Sequence, residues 1–136
     1  MEHKMEFSEK IEPGMTREEE FPVAEQNAAI HVGSGSSPVL ATPWMIAFME
    51  RVSHRLLAEH LSQGETSVGI YLEIKHLAPT PVGAAVKVKT RVTEVAGNQV
   101  TFSVEAWDQI EKVGEGIHRR AVIDEARFLR RVKAKQ

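Results

Sequence analysis

Three residues in this chain of 136 carry side chains that could share acyl-transfer chemistry: Thr42, Glu50 and His76. Acyl transfer to water asks for an activated oxygen, a base, and donors for the charge that builds on the carbonyl oxygen. A hydroxyl, a carboxylate and an imidazole cover the first two. Glu50 closes the run Leu40-Ala41-Thr42-Pro43-Trp44-Met45-Ile46-Ala47-Phe48-Met49-Glu50, which is otherwise almost all apolar. An ionised carboxylate buried without a partner costs several kcal/mol or has its pKa pushed upward, so its presence there asks for a reason.

Each residue also has a plainer explanation. On a helix Glu50 neighbours Ile46, Ala47, Ser53, His54 and Leu57, so it borders an apolar stripe and could pair with His54 or an outside Arg. His76, beside Lys75 and ahead of a proline-rich turn, could be a surface histidine. Thr42 precedes Pro43 and reads as a helix cap. That role is compatible with chemistry, because the free N–H groups of a first helical turn are natural oxyanion donors. No metal site is expected. Glu73 and His76 would point to opposite faces of a strand, and Glu50 with His54 gives two ligands without a third.

The elements that must position these groups follow from periodicity. Residues 12–23 could form a first strand, with Phe21 and Val23 in phase. The patch His31-Val32-Gly33-Ser34-Gly35-Ser36-Ser37-Pro38 reads as a loop. Its Gly-x-Gly lacks a third glycine and a βαβ setting, so it is not a dinucleotide fingerprint. Trp44, Met45, Phe48, Met49, Val52, Leu56 and Leu61 recur at three and four, predicting a core-facing helix from Thr42 to near Gly64, about 20 residues or roughly 30 Å. Strands follow: 68–74, then a turn at Ala78-Pro79-Thr80-Pro81-Val82-Gly83, then alternation through Val86, Val88, Thr90 and Val92. A hairpin turn falls at Ala96-Gly97-Asn98, with alternation again through Val100, Phe102, Val104 and Ala106. A last strand is expected over about 115–128. One long helix followed by an antiparallel meander is an α+β architecture.

Composition bounds the rest. Apolar residues make up 42% and charged residues 26%, ordinary for one soluble domain. No apolar run approaches the roughly 18 to 20 residues of a membrane span. The charged start shows no secretory pattern, which makes cytoplasm the expected location. The absence of cysteine removes disulfides, thiolate zinc sites and a Cys nucleophile. The expected organisation is a flexible leader over 1–10, one domain over 11–131 and a basic tail over 132–136. Residues 1–25 hold eight Glu against three Lys or Arg, whereas 127–136 hold Arg127, Arg130, Arg131, Lys133 and Lys135 and no acid. Such an end is either solvated or a seat for a phosphorylated ligand. No aromatic platform or nucleic-acid motif accompanies it, so nucleic acid is not an expected partner.

The block from Ala41 to Glu50, with Val68-Gly69, Lys75-His76-Leu77-Ala78-Pro79-Thr80-Pro81-Val82-Gly83 and Gly116-Ile117-His118-Arg119-Arg120-Ala121-Val122-Ile123, resembles the hot-dog-fold thioesterases of the fluoroacetyl-CoA thioesterase-like group. The likeness runs from about residue 10 to about 131. It implies a long central helix wrapped by a curved antiparallel sheet, and homodimers with acyl-CoA sites at the subunit interface. It also implies catalysis by Thr42, Glu50 and His76, with Gly69 and Arg120 lining the acyl and carboxylate end. CoA would enter as substrate, and no cofactor is expected. The Gly- and Ser-rich stretch before Thr42 departs from relatives that carry bulky residues there, so the acyl group is not carried over. A non-catalytic acyl-CoA-binding domain is the alternative on the same fold. A hydratase would want a close Asp and His pair, which is missing. On a straight helix Thr42 and Glu50 lie about 12 Å apart along the axis. A compact site therefore needs a bend at Thr42 or a residue from a second subunit, and the interface is the favoured solution.

Overall fold

The computed structural model describes residues 10–136; of the leader expected over 1–10, residues 1–9 lie outside the described residues. The two alternating segments fold as a hairpin. β3 (Ala85–Ala96) and β4 (Gln99–Trp107) pair antiparallel across Gly97-Asn98, with Gly97 at φ +61°. That left-handed conformation is what a two-residue hairpin turn needs and glycine permits. β5 (Lys112–Asp124) returns beside β4, β2 (Glu65–His76) flanks β5, and β1 (Thr16–Pro22) flanks β3. The result is one antiparallel sheet in the order β1-β3-β4-β5-β2. Ahead of the long helix lie a 3₁₀ turn (Glu25–Asn27) and the one-turn helix α1 (Ala29–Val32).

Helix α2 (Thr42–Ala58) crosses the sheet and touches all five strands, the hot-dog arrangement. Met45, Met49, Val52, Leu56 and Leu57 form its core stripe, packed against Val86, Val88, Val92, Val100, Phe102, Val104, Val113 and Val122. Each such side chain fully buried is worth about 1.5 to 3 kcal/mol. Gly114 lets helix and sheet close together, since a Cβ there would stand 2.5 Å from Met45 Sδ. The one polar pair in the stripe is self-satisfied: Ser53 Oγ donates to Met49 O (2.9 Å) and meets Thr90 Oγ1 at 2.7 Å.

Beyond shifts of a few residues at the ends of β1, β2 and β5, three features differ from expectation. α2 ends at Ala58, not near Gly64, because Glu59 and His60 turn back onto Leu57 O and Leu61 folds onto the core. Gly64, at φ +88°, serves the turn into β2 instead. Thr42 is not the cap. Ala41 occupies that position without a side-chain bond, and Thr42 and Pro43 are the first two helical residues. The last strand stops at Asp124, whose Oδ1 accepts from Arg127 N (3.0 Å) and caps α3 (Glu125–Lys133). The basic end is thus largely helical, where a strand end and a tail over 132–136 were expected.

The two sheet edges differ in character. β1 is lined by Arg17, Glu18, Glu19 and Glu20 and ends in Pro22. Its charges are tied to the end of α2: Arg17 pairs with Glu19 and Glu59, and Arg55 with Glu19. β2 exposes Ile70, Tyr71 and Leu72 in succession, at 46, 42 and 42%.

Candidate active site

Backbone contacts join the start of α2 to the end of β2. Leu40 N donates to Thr80 O (2.8 Å), Val39 bridges Pro81, and Leu77 N donates to Val113 O (2.8 Å). This stitching brings the first residue of α2 against the last of β2. Thr42 Oγ1 and His76 Nδ1 share a 2.7 Å hydrogen bond. Burial holds the His76 imidazole below its ordinary pKa, against an opposing backbone hydrogen bond at Ala78. A neutral ring can accept the Thr42 proton at Nδ1. Its other nitrogen, Nε2, is buried with no partner among the described residues. The Thr42 amide, at the first helical position, meets no acceptor among the described residues. An oxygen, a base and a free N–H donor therefore converge at one helix start.

Glu50, two turns further along α2, belongs to a second cluster. Its side chain is 38% exposed, and Oε2 lies 3.6 Å from Arg120 Nη1. The carboxylate is therefore neither fully buried nor without a cation, which answers the question its position raised. It leans over Gly69, where a Cβ would come within 2.5 Å of Oε2. A side chain at that position would have to displace the carboxylate. A β-bulge follows between Gly69 and Tyr71, where Ile70 is the extra residue on β2.

Arg120 is buried and held on three sides. Its Nε donates to Ser67 Oγ (2.9 Å), Nη2 to Ser67 O (3.1 Å) and Nη1 to His118 Nε2 (3.1 Å). Because a guanidinium only donates, His118 Nε2 must accept. The ring proton is then on Nδ1 and donates to Tyr71 O at 3.0 Å. The Ser67 hydroxyl, which accepts from Arg120, also shares a 3.0 Å hydrogen bond with His54 Nδ1. Burial, with Arg120 adding to it, lowers the pKa of both histidines. Burial also lowers that of Arg120, with Glu50 opposing.

Within one chain, then, the structure joins Thr42 to His76 and joins Glu50 to Gly69 and Arg120. It does not bring Glu50 to His76. His54 pairs with Ser67 instead of Glu50. Arg120 faces the Glu50 carboxylate from inside the protein, and Arg119 stacks on Tyr71 (5.0 Å) while donating to Thr101 Oγ1 (3.2 Å). Sequence reasoning weighed His54 only against Glu50, quoted His118 without a role, and passed over Ser67. Strand alternation marks two of them: Ser67 shares a face with Gly69, and His118 with Arg120. Among the described residues no group of three or more His, Asp or Glu is placed to hold a metal ion.

A helix wrapped by one antiparallel sheet defines a protein of the hot-dog class. Comparison with known proteins agrees: residues 23–126 match the family described as fluoroacetyl-CoA-specific thioesterase. The chain belongs to that family. It is 36% identical over 97 residues to the fluoroacetyl-CoA thioesterase of Streptantibioticus cattleyicolor, covering 71% of this chain and 70% of that protein. A solved structure of a fluoroacetyl-CoA thioesterase superposes with a TM-score of 0.86 at 31% identity, over 93% of this chain and 98% of that one. A hot-dog-like protein from Thermanaerovibrio acidaminovorans gives 0.89 at 26% identity, over 96% and 97%.

Proposed function

We propose that the enzyme hydrolyses a small acyl-CoA to the free acid and CoA at a site shared between two subunits. Thr42 and His76 come from one subunit and Glu50 from the other. The observation that carries this reading is the 2.7 Å bond from Thr42 Oγ1 to His76 Nδ1, with a buried, unpartnered Nε2 behind it. His76 takes the Thr42 proton as the hydroxyl oxygen attacks the thioester carbonyl. The Thr42 N–H stabilises the oxyanion, and the CoA thiolate leaves with the proton from His76. Water, activated by the same imidazole, then releases the acid. Throughout, Nε2 needs an acceptor to orient the ring, and a carboxylate suits that position. Water and the thioester supply every reacting atom, so no cofactor is invoked. A small acyl group is supported by relatives: a variant of the fluoroacetyl-CoA thioesterase was solved with fluoroacetate and CoA, and another with acetyl-CoA.

The second subunit enters through β2. Its run 69–73 is exposed, apolar at 70–72 and unpaired on its outer side. An edge of that kind is usually paired. Antiparallel pairing of two β2 strands about Tyr71 sets His76 opposite the partner's Thr66, and Glu73 opposite the partner's Gly69. The partner's Glu50, which leans over that glycine, then lies about three residues from His76 along the strand, or about 10 Å; Glu50 of the same chain lies seven away, or about 23 Å. Among the described residues no helix is long and apolar enough to cross a membrane. A cytoplasmic location is part of this reading, since a chain without cysteine draws no disulfide from an oxidising compartment.

Thiol release across a panel of acyl-CoAs, with Thr42→Ala as control, tests the function. Rapid release of a small acyl group, lost in Thr42→Ala, is expected. Tight acyl-CoA binding without release would overturn the reading in favour of a binding domain.

A further inference from the structure

Helix α3 is the element that the proposed site leaves unused. None of its residues is buried. Arg127, Arg130 and Arg131 fall three and four apart, on one face. Neither they nor Lys133 and Lys135 have a carboxylate within ion-pair distance among the described residues. The opposite face carries Leu129 and Val132, 53 and 44% exposed. Within its own chain α3 is remote from the chemistry. Glu125 N donates to Gly64 O (2.9 Å) at the start of β2, whereas His76 closes that strand 11 residues beyond Glu65, about 36 Å away.

We infer that α3 acts on the partner subunit's site, holding the phosphates of the CoA whose thioester is cleaved there. The inference rests on the β2-to-β2 dimer proposed above. In that pairing the partner's Gly64 faces Ala78, two residues past His76. The partner's α3 is thereby carried to the same end of the molecule as Thr42 and His76. CoA bears a diphosphate and a 3′-phosphate remote from its thiol. A row of unpaired guanidinium groups set back from the reacting centre meets that charge with forked hydrogen bonds. The uncovered Leu129 and Val132 face gives the helix an apolar seat on the partner, where Leu77 is 48% exposed. Arg120 is committed to Ser67, His118 and Glu50 and cannot take this role.

The test replaces Arg127, Arg130 and Arg131 with Gln in the full chain. The expected result is a several-fold higher KM for acyl-CoA, little change in kcat, and a weaker salt dependence of KM. The corresponding acyl-pantetheine, which lacks the nucleotide phosphates, should be hydrolysed as by the wild type. An unchanged KM for acyl-CoA, or an equal loss on both substrates, would overturn the inference. Subunit assignment comes from a mixed dimer: one subunit carries Thr42→Ala with α3 intact, the other an intact Thr42 with α3 neutralised. The live site is then served by the intact helix only if α3 acts across the interface, so a wild-type KM is expected. A raised KM means that α3 acts within its own chain, and the inference fails while the dimer stands. Sedimentation of the wild type as a monomer would instead remove the dimer and the inference together.

Discussion

Glu50→Gln keeps the shape of the side chain and removes its charge, which makes it the sharpest probe of the chemistry. If Glu50 orients His76 across the interface, kcat should fall by roughly two to four orders of magnitude, the range a positioned acid–base group supplies. His76→Ala should fall as far, and the double variant little further, because residues acting as one unit lose activity non-additively. A wild-type rate for a folded Glu50→Gln would remove it from the site. The pH profile gives a second readout. Burial holds His76 below its ordinary value of about 6.5. Burial lowers that pKa, and a carboxylate from the partner's Glu50 facing Nε2 would raise it, so the acid limb of kcat/KM should move to lower pH in Glu50→Gln and vanish in His76→Ala. A limb that stays in place in Glu50→Gln would mean that Glu50 does not face His76.

At the scale of elements, the sequence is legible wherever period and punctuation agree. The β3–β4 hairpin, the core stripe of α2 and its start at Thr42-Pro43 all follow from alternation, from three-and-four spacing and from Gly97 and Pro43. What periodicity could not reach was tertiary. Thr42 was expected to cap the helix; the stitching of Leu40 to Thr80 turns its hydroxyl toward His76 instead. The end of β5 hid a helix because Ile123 continues the strand phase, while the Asp124 cap depends on a local bond. The Arg120 cluster spans β2, β5 and α2, so only strand pairing reveals it. That cluster yields its own prediction. Ser67→Ala leaves Arg120 Nε buried without an acceptor, which costs about 1 to 3 kcal/mol. Denaturant unfolding should show that loss, and kcat should drop more than KM rises as the cation under Glu50 loosens. No change in either would mean that water replaces the hydroxyl without cost.

For the whole molecule the expectation is a dimer whose activity depends on assembly. Leu72→Glu places a charge on the exposed middle of β2. It should yield a folded monomer by sedimentation with thioesterase activity near zero, since each subunit then lacks the other's Glu50. A fully active monomer would locate the whole site in one chain. Stability should also depend on pH. His54, His76 and His118 have folded pKa values below that of a free histidine. Their unfolded forms take up protons first as pH falls past about 6.5. Stability is therefore full above that pH and is lost below it, by at most about 1.4 kcal/mol per pH unit for each histidine. Thermal melts between pH 7 and 5 should show the decline, and a flat Tm would contradict it.

The unequal edges of the sheet also decide where growth stops. One border of the sheet is apolar and open at Ile70, Tyr71 and Leu72. The other, β1, presents Glu18, Glu19 and Glu20 and closes with a proline that has no N–H to offer. Strand addition is favourable on the first border and opposed on the second by like charge and a missing donor. Two copies joined at their open borders would therefore show only guarded ones to solution, giving a finite particle where two adhesive borders would propagate a fibril.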